Sequence, residues 1–257
     1  MVDYLRVISL DRTPDRFDRF VALHPGFPIA RFSAIDGARV TRADCLRDGL
    51  INEQNTYNPG AIGIALSHTT LWRDCAAGSV PFHIVEDDVI LRADFVSAAA
   101  AALATLPDWD IVLWLHNFDW PVKIRPPGEI GPVVMQYEPD DGGRNWDGFR
   151  ATRVAPMLVP VLSAGGIGCY SISPQGARRL LADCLPIGNA MAEYVPKPGT
   201  GWLNTGLDVE MSRHYGRRLA FFAIPPLAVA PNDQSASTIR GHLATMHDPA
   251  IANKAVV

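Results

Sequence analysis

The sequence has no pair of cysteines at Cys-x-x-Cys spacing. Its four cysteines, Cys45, Cys75, Cys169 and Cys184, stand far apart, which excludes a zinc knuckle and a thioredoxin-like redox site. Thiols scattered in this way are expected in the core and fit a reducing compartment. Long apolar runs are missing as well. No stretch approaches the ~20 residues needed to cross a bilayer. The start, Met1-Val2-Asp3-Tyr4, lacks the basic segment of a signal peptide. The expected location is the cytoplasm, with any work at a membrane done peripherally, from its surface. Charge is sparse, at 19% of residues with a net charge of −4. A chain without a basic surface is a poor non-specific partner for nucleic acid. Internal repeats are absent too. What is abundant is apolar residues, 48% of 257, enough to build a substantial core.

Short apolar runs alternate with helical patterns, which predicts an α/β fold. Strands are expected at 5–10, 29–35, 82–85, 111–115, 168–172 and 219–224. Helices are expected from Pro14, with Thr13 as cap, from Gly60 to about Cys75 after Asn58-Pro59, over 93–106, from Pro174 to about Cys184 after Ser173, and over 207–215. From Asn117 to about Pro160 the periodicity fades. Pro121, Pro126, Pro127, Pro132, Pro139 and Pro156 interrupt it, and Trp120, Trp146 and Phe149 lie among them. Such a stretch is expected to be an irregular insert, of the kind that forms lids and binding loops. A second irregular stretch is expected over 188–206, and the tail from Pro225 looks irregular.

The most informative feature is Glu86-Asp87-Asp88 at the end of an apolar run. Adjacent carboxylates repel one another and are costly to desolvate. In an α/β sheet the end of a strand is where ligands bind. If the backbone is extended there, Glu86 and Asp88 point to one side and offer oxygen ligands to a hard divalent ion, Mn²⁺ or Mg²⁺. Such an ion suits a diphosphate leaving group. The plain alternative is an acidic surface turn.

Other residues carry two readings each. Arg12 and Arg16 follow the first strand and can hold a phosphate, or pair locally with Asp15 and Asp18. Ser67 and His68 lie within an apolar helix. Neighbouring side chains diverge on a helix, so they form no nucleophile–base pair, and a satisfied core histidine is the plainer account. Asp208 and Glu210 open a helix. They serve either its dipole or, for one of them, the role of general base. His242 and His247 in the tail are candidates for a third metal ligand.

In their order, these segments resemble glycosyltransferase family 25, which includes bacterial lipooligosaccharide galactosyltransferases and collagen galactosyltransferases. The series runs through Val7-Ile8-Ser9-Leu10-Asp11-Arg12-Thr13-Pro14-Asp15-Arg16, Ala34-Ile35-Asp36-Gly37, Gly60-Ala61-Ile62-Gly63-Ile64-Ala65-Leu66-Ser67-His68 with Trp72, and Glu86-Asp87-Asp88-Val89. It continues in Gly168-Cys169-Tyr170-Ser171-Ile172-Ser173 with Gly176-Ala177. Ala61 departs from the family, which often has glutamate there, and 117–160 does not align. The resemblance implies a single GT-A domain over 1–257, a Rossmann-like mixed sheet flanked by helices. It further implies a role in lipopolysaccharide biosynthesis and inverting transfer of a sugar, usually galactose, from a UDP-sugar to an acceptor hydroxyl on a glycan or other molecule. By the same resemblance Asp88 binds the metal with Glu86 or Asp87 assisting. Asp11, Arg12, Arg16, Asp36, Ser67 and His68 line or support the nucleotide site, and Asp208 is the base. The insert at 117–160 would then shape the acceptor pocket as a lid. Two rivals stand beside this reading: a non-catalytic nucleotide- or glycan-binding module on the same fold, and a two-carboxylate glycoside hydrolase without metal.

Overall fold

The structure, a computed structural model, describes residues 4–118, 120–128, 130–138, 144–193 and 201–231. His242 and His247 lie outside the described residues. The chain begins β1 (Leu5–Ser9), α1 (Pro14–Leu23), β2 (Ile29–Ser33), a 3-10 turn (Gly37–Arg39), α2 (Arg42–Arg47), α3 (Pro59–Ala77), β3 (Phe82–Glu86), β4 (Ile90–Leu91) and α4 (Phe95–Leu103). It continues β5 (Ile111–Leu113), β6 (Leu115–His116), β7 (Val122–Ile124), β8 (Val133–Met135), α5 (Trp146–Ala151), β9 (Met157–Ser163) and β10 (Cys169–Ile172). The last elements are α6 (Pro174–Cys184), β11 (Ala192–Glu193), β12 (Gly201–Trp202), α7 (Leu207–Tyr215), β13 (Ala220–Ile224) and β14 (Ala228–Val229).

Nine strands form one mixed sheet in the order β2-β1-β3-β10-β5-β13-β9-β7-β8. β1 runs parallel to both β2 and β3, while β10 is antiparallel to its neighbours β3 and β5. Side chains alternate across the strands, and each face has its own apolar layer. Leu5, Val7, Val85 and Val112 pack with Phe17 and Phe20 of α1 and Phe95 and Ala99 of α4. Ile8, Ile84, Ile111 and Leu113 pack with Ala65 and Trp72 of α3, Leu180 of α6 and Met211 of α7. The expected large mixed sheet flanked by helices is therefore present.

Caps explain where several helices start. Asn58 accepts from the Ala61 N–H and places Pro59 at the first position of α3; Ser173 does the same for α6 by accepting from Gly176. Thr13 differs from expectation: its side chain makes no cap bond, and its hydroxyl donates to the Leu10 carbonyl.

The stretch 117–160 is not irregular throughout. It contributes β7, β8 and β9, which extend the main sheet through β13, and the short helix α5. Trp146 and Phe149 of α5 pack against Phe118, Ile90 and Val229. The expected irregular insert is corrected to a sheet extension with one short helix. Further elements were not expected: the 3-10 turn, α2, β4, the β11–β12 pair within 188–206 and β14 in the tail after Pro225. All four cysteines are free and buried. No helix among the described residues is long and apolar enough to cross a membrane.

Candidate active site

Strand order creates the site. From β1 the chain passes to β2 on one side and then to β3 on the other. At such a reversal the connections leave to opposite faces, and a crevice opens at the strand ends. Asp11 and Arg12 follow β1, Asp36 follows β2, and Glu86-Asp87-Asp88 ends β3, so the sequence candidates converge there.

Arg16, in the first turns of α1, faces the acidic triplet. Its Nη2 lies 2.6 Å from Asp87 Oδ1 and 3.2 Å from Asp88 Oδ2. Arg12 Nε donates to Asp36 Oδ2 at 3.1 Å. Neither arginine makes the local pair with Asp15 or Asp18 that spacing alone allows; both reach across to other strand ends. Asp11 accepts from Ser33 Oγ and lies 2.8 Å from Arg31 Nη2; the Ser33 hydrogen bond holds its carboxyl below the usual range. Beside these groups is a cavity of about 260 Å³ lined by Leu10, Asp11, Arg12, Ile35, Asp36 and Arg39.

Desolvation, and after it repulsion from Glu86, raises Asp88 to about 6, against the pull of Arg16. Half of the Asp88 side chain (52%) still meets solvent, so a ligand can reach it. Asp87 is covered and committed to Arg16. The triplet thus divides its work: Asp87 anchors, Asp88 stays open to solvent, and the half-buried Glu86 turns toward His68. Three carboxylates with one guanidinium offer hard oxygen donors in excess of local positive charge, which fits a divalent cation.

Ser67 and His68 do not line the crevice; both are buried. Ser67 Oγ accepts from the Ile35 N–H and donates to the Gly63 carbonyl, tying the Asp36 turn to α3. His68 Nε2 lies 3.3 Å from Glu86 Oε1, and its Nδ1 lies 2.8 Å from the Tyr170 hydroxyl. They support the site from within. Burial pushes the Tyr170 phenol well above its usual range, so it keeps its proton.

α7 brings in Asp208 from the far end of the chain. Its Oδ2 accepts from the Gly166 N–H at 3.0 Å. Gly166 has φ +85 and turns tightly against Asn117. Desolvation raises the Asp208 carboxyl, opposed by the Gly166 and Val209 N–H groups, and the Glu86 charge raises it further. Asp208 and Glu86 therefore share one field. Next to this turn, Trp120 and Trp202 pack at a tilt with ring centroids 4.1 Å apart and fill the space over Gly165.

Glu210 proves to be an interior anchor. It accepts from Arg213, from His214 Nε2 at 3.1 Å and from Asn204 Nδ2 at 2.5 Å. With Cys184 and His214 it forms a buried cluster, but the polarity there opposes a metal. His214 Nδ1 faces the Arg217 guanidinium, whereas a metal-bound imidazole donates its other N–H to an acceptor. Tyr170, Trp72 and the Gly165-Gly166 turn were missed as site residues. The adjacent glycines were the available signal for the turn; Tyr170 and Trp72 had none beyond their place in the family series.

A profile of glycosyltransferase family 25 (LPS biosynthesis protein) matches residues 4–194. A comparison with curated proteins finds no match. The matched stretch carries the three strand ends of the crevice, the acidic triplet on the last of them and the helix that supports it, and the chain belongs to glycosyltransferase family 25.

Proposed function

We propose that the protein is an inverting, metal-assisted glycosyltransferase of GT-A type that moves galactose from UDP-galactose to an acceptor hydroxyl on a glycan. Membership of the family supports sugar transfer, with a sugar donor and an acceptor. Galactose, UDP, inversion and a place in lipopolysaccharide assembly are what the family resemblance favours. The observation that carries the site is that Asp208, latched to the Gly166 turn, feels the charge of Glu86 from the acidic triplet.

In this reading Asp88 and Glu86 hold a divalent cation, Mn²⁺ or Mg²⁺, with Asp87 kept in place by Arg16. When bound, that ion neutralises the diphosphate leaving group. The cavity beside Asp11, Arg12 and Asp36 takes the nucleoside, with the Arg12–Asp36 pair opening to offer one donor and one acceptor. Asp208 removes the proton from the acceptor hydroxyl, which attacks the anomeric carbon from the face opposite UDP. The Trp120–Trp202 pair borders the acceptor side, where aromatic faces suit sugar rings. The chain acts as one domain, in the cytoplasm, on acceptors it meets in solution or at a membrane surface.

The test is thermal stability with a panel of nucleotide sugars, each with and without Mn²⁺, followed by transfer assays with the donor that binds. A ligand selective for the folded state raises the melting temperature. A shift with one UDP-sugar that needs Mn²⁺ and is lost in Asp88→Ala supports the proposal. Transfer that survives Asp88→Ala with the fold intact refutes it, and metal-independent cleavage of a glycan favours a hydrolase.

A further inference from the structure

Behind the acidic triplet runs a chain of hydrogen bonds that leaves α3 at Trp72, crosses to β10 at Tyr170 and returns through His68 of α3 to Glu86 at the end of β3. Trp72 Nε1 donates to the Tyr170 hydroxyl at 2.7 Å. The same hydroxyl lies 2.8 Å from His68 Nδ1, and His68 Nε2 lies 3.3 Å from Glu86 Oε1. Trp72, Tyr170 and His68 are fully buried.

The direction of this chain follows from its first member. An indole N–H can only donate, so the Tyr170 oxygen is an acceptor toward Trp72. The hydroxyl's own proton then needs an acceptor. Among the described residues the group within hydrogen-bond distance is His68 Nδ1. If Tyr170 donates to Nδ1, that nitrogen carries no proton, and the neutral ring carries its proton on Nε2. Nε2–H in turn faces Glu86 Oε1. Each donor meets one acceptor; reversing the order would leave the Tyr170 O–H without an acceptor among the described residues and set the bare Nε2 lone pair against the Glu86 oxygen.

We propose that Trp72, Tyr170 and His68 are positioning residues that lock His68 in the Nε2–H tautomer, so that it grips one oxygen of Glu86 and leaves Oε2 for the donor site. Oε2 lies toward Gly168, 4.0 Å from where a Cβ on that glycine would sit and next to the Val89 and Leu115 side chains. The inference rests on the assignment of Glu86 to the donor site made above, but the tautomer itself is read without any donor or metal.

Long-range ¹H–¹⁵N correlation spectra of the metal-free protein, with His68 assigned through His68→Gln, test it. The wild type is expected to show Nδ1 unprotonated and Nε2 protonated. Trp72→Phe keeps an aromatic ring in place but removes the obligate donor, so the hydroxyl can turn and both tautomers are expected. In transfer assays the same variant should raise the donor KM about fivefold, the worth of one lost hydrogen bond, with kcat nearly unchanged. His68→Gln, which retains an N–H donor toward Glu86, should keep more activity than His68→Leu. A wild-type His68 protonated on Nδ1 overturns the proposal, as does a Trp72→Phe spectrum identical to wild type. If the spectra behave as expected while Glu86→Gln transfers sugar at the full rate, the lock stands and it is the donor-site role of Glu86 that fails.

Discussion

Gly63 lies directly beneath Gly37: a Cβ on Gly63 would come within 2.8 Å of the Gly37 nitrogen and 2.6 Å of the Ile35 carbonyl oxygen. On the other side, a Cβ on Gly37 would overlap the Pro59 carbonyl. The turn that carries Asp36 therefore sits flush on α3, and the two glycines are its seat.

Gly63→Ala pits two effects against each other. Alanine favours a helix interior by about 1 kcal/mol over glycine. Pushing a methyl into unyielding backbone costs ~1–3 kcal/mol or more. The neighbours here are main-chain atoms, so the cost wins. The variant is expected to melt lower than wild type by circular dichroism; a higher melting temperature would show that the turn can lift away.

Acid should weaken the fold through two histidines. Desolvation holds His24 and His116 at about 4 instead of 6.5. Below pH 6.5 the unfolded chain takes up protons that the folded chain refuses until about 4. Stability is whole above 6.5 and falls as the pH drops through that window, by ~3 kcal/mol for each histidine. His24 is used in full: its Nδ1 meets the Phe20 carbonyl and its Nε2 accepts from the Leu91 N–H. Neither ring nitrogen of His116 has a hydrogen-bond partner among the described residues; Phe118, Tyr137 and Phe222 surround it. His116→Leu should therefore change stability little at pH 8 and remove about half of the acid loss, read from urea melts between pH 8 and 4.

Arg16→Gln removes the cation that bridges Asp87 and Asp88. The ionised triplet is then left to its own repulsion, and the metal-free protein should lose ~1–2 kcal/mol at pH 7.5. Because Asp88 takes up a proton near 6, the deficit should shrink at pH 5. A deficit that grows in acid would contradict the charge account.

Asp208→Asn separates chemistry from architecture. Asparagine keeps an oxygen to accept from Gly166 N–H, so the melting temperature should hold within a few degrees. Transfer should fall by about 10²–10⁴-fold if Asp208 takes the acceptor proton. Full activity in this variant would remove Asp208 from the reaction and leave it as the latch of the Gly166 turn.

What could be read in advance tracks how local the signal is. β1, α3, β3 and α7 announce themselves through apolar period, through Asn58-Pro59, and through Gly206 before a run at helical spacing. The carboxylate cluster was legible because Glu86-Asp87-Asp88 interrupts an apolar strand. β7, β8 and β9 were not. Each is short or broken by proline, and proline is a fair argument against an interior strand. In β9, Pro160 lies just beyond the last β7 pair, Ile124 with Val161, where its missing N–H is not needed for that pairing. The two contacts that orient the site, Tyr170 to His68 and Gly166 to Asp208, join residues 102 and 42 positions apart. No spacing rule connects such pairs before the sheet brings them together.

The position of β13 between β5 and β9 also bears on where the molecule can be cut. The family match ends at 194, yet a fragment ending there would lack the strand that joins one part of the sheet to the other. β9, β7 and β8 would be left without their bond to β5, and β4, just past Asp88, would lose its partner β14. The matched stretch is thus not an excisable module. The strand after its acidic turn is completed by β14, which lies beyond the match, and a shortened chain would present two raw sheet edges instead of an enzyme.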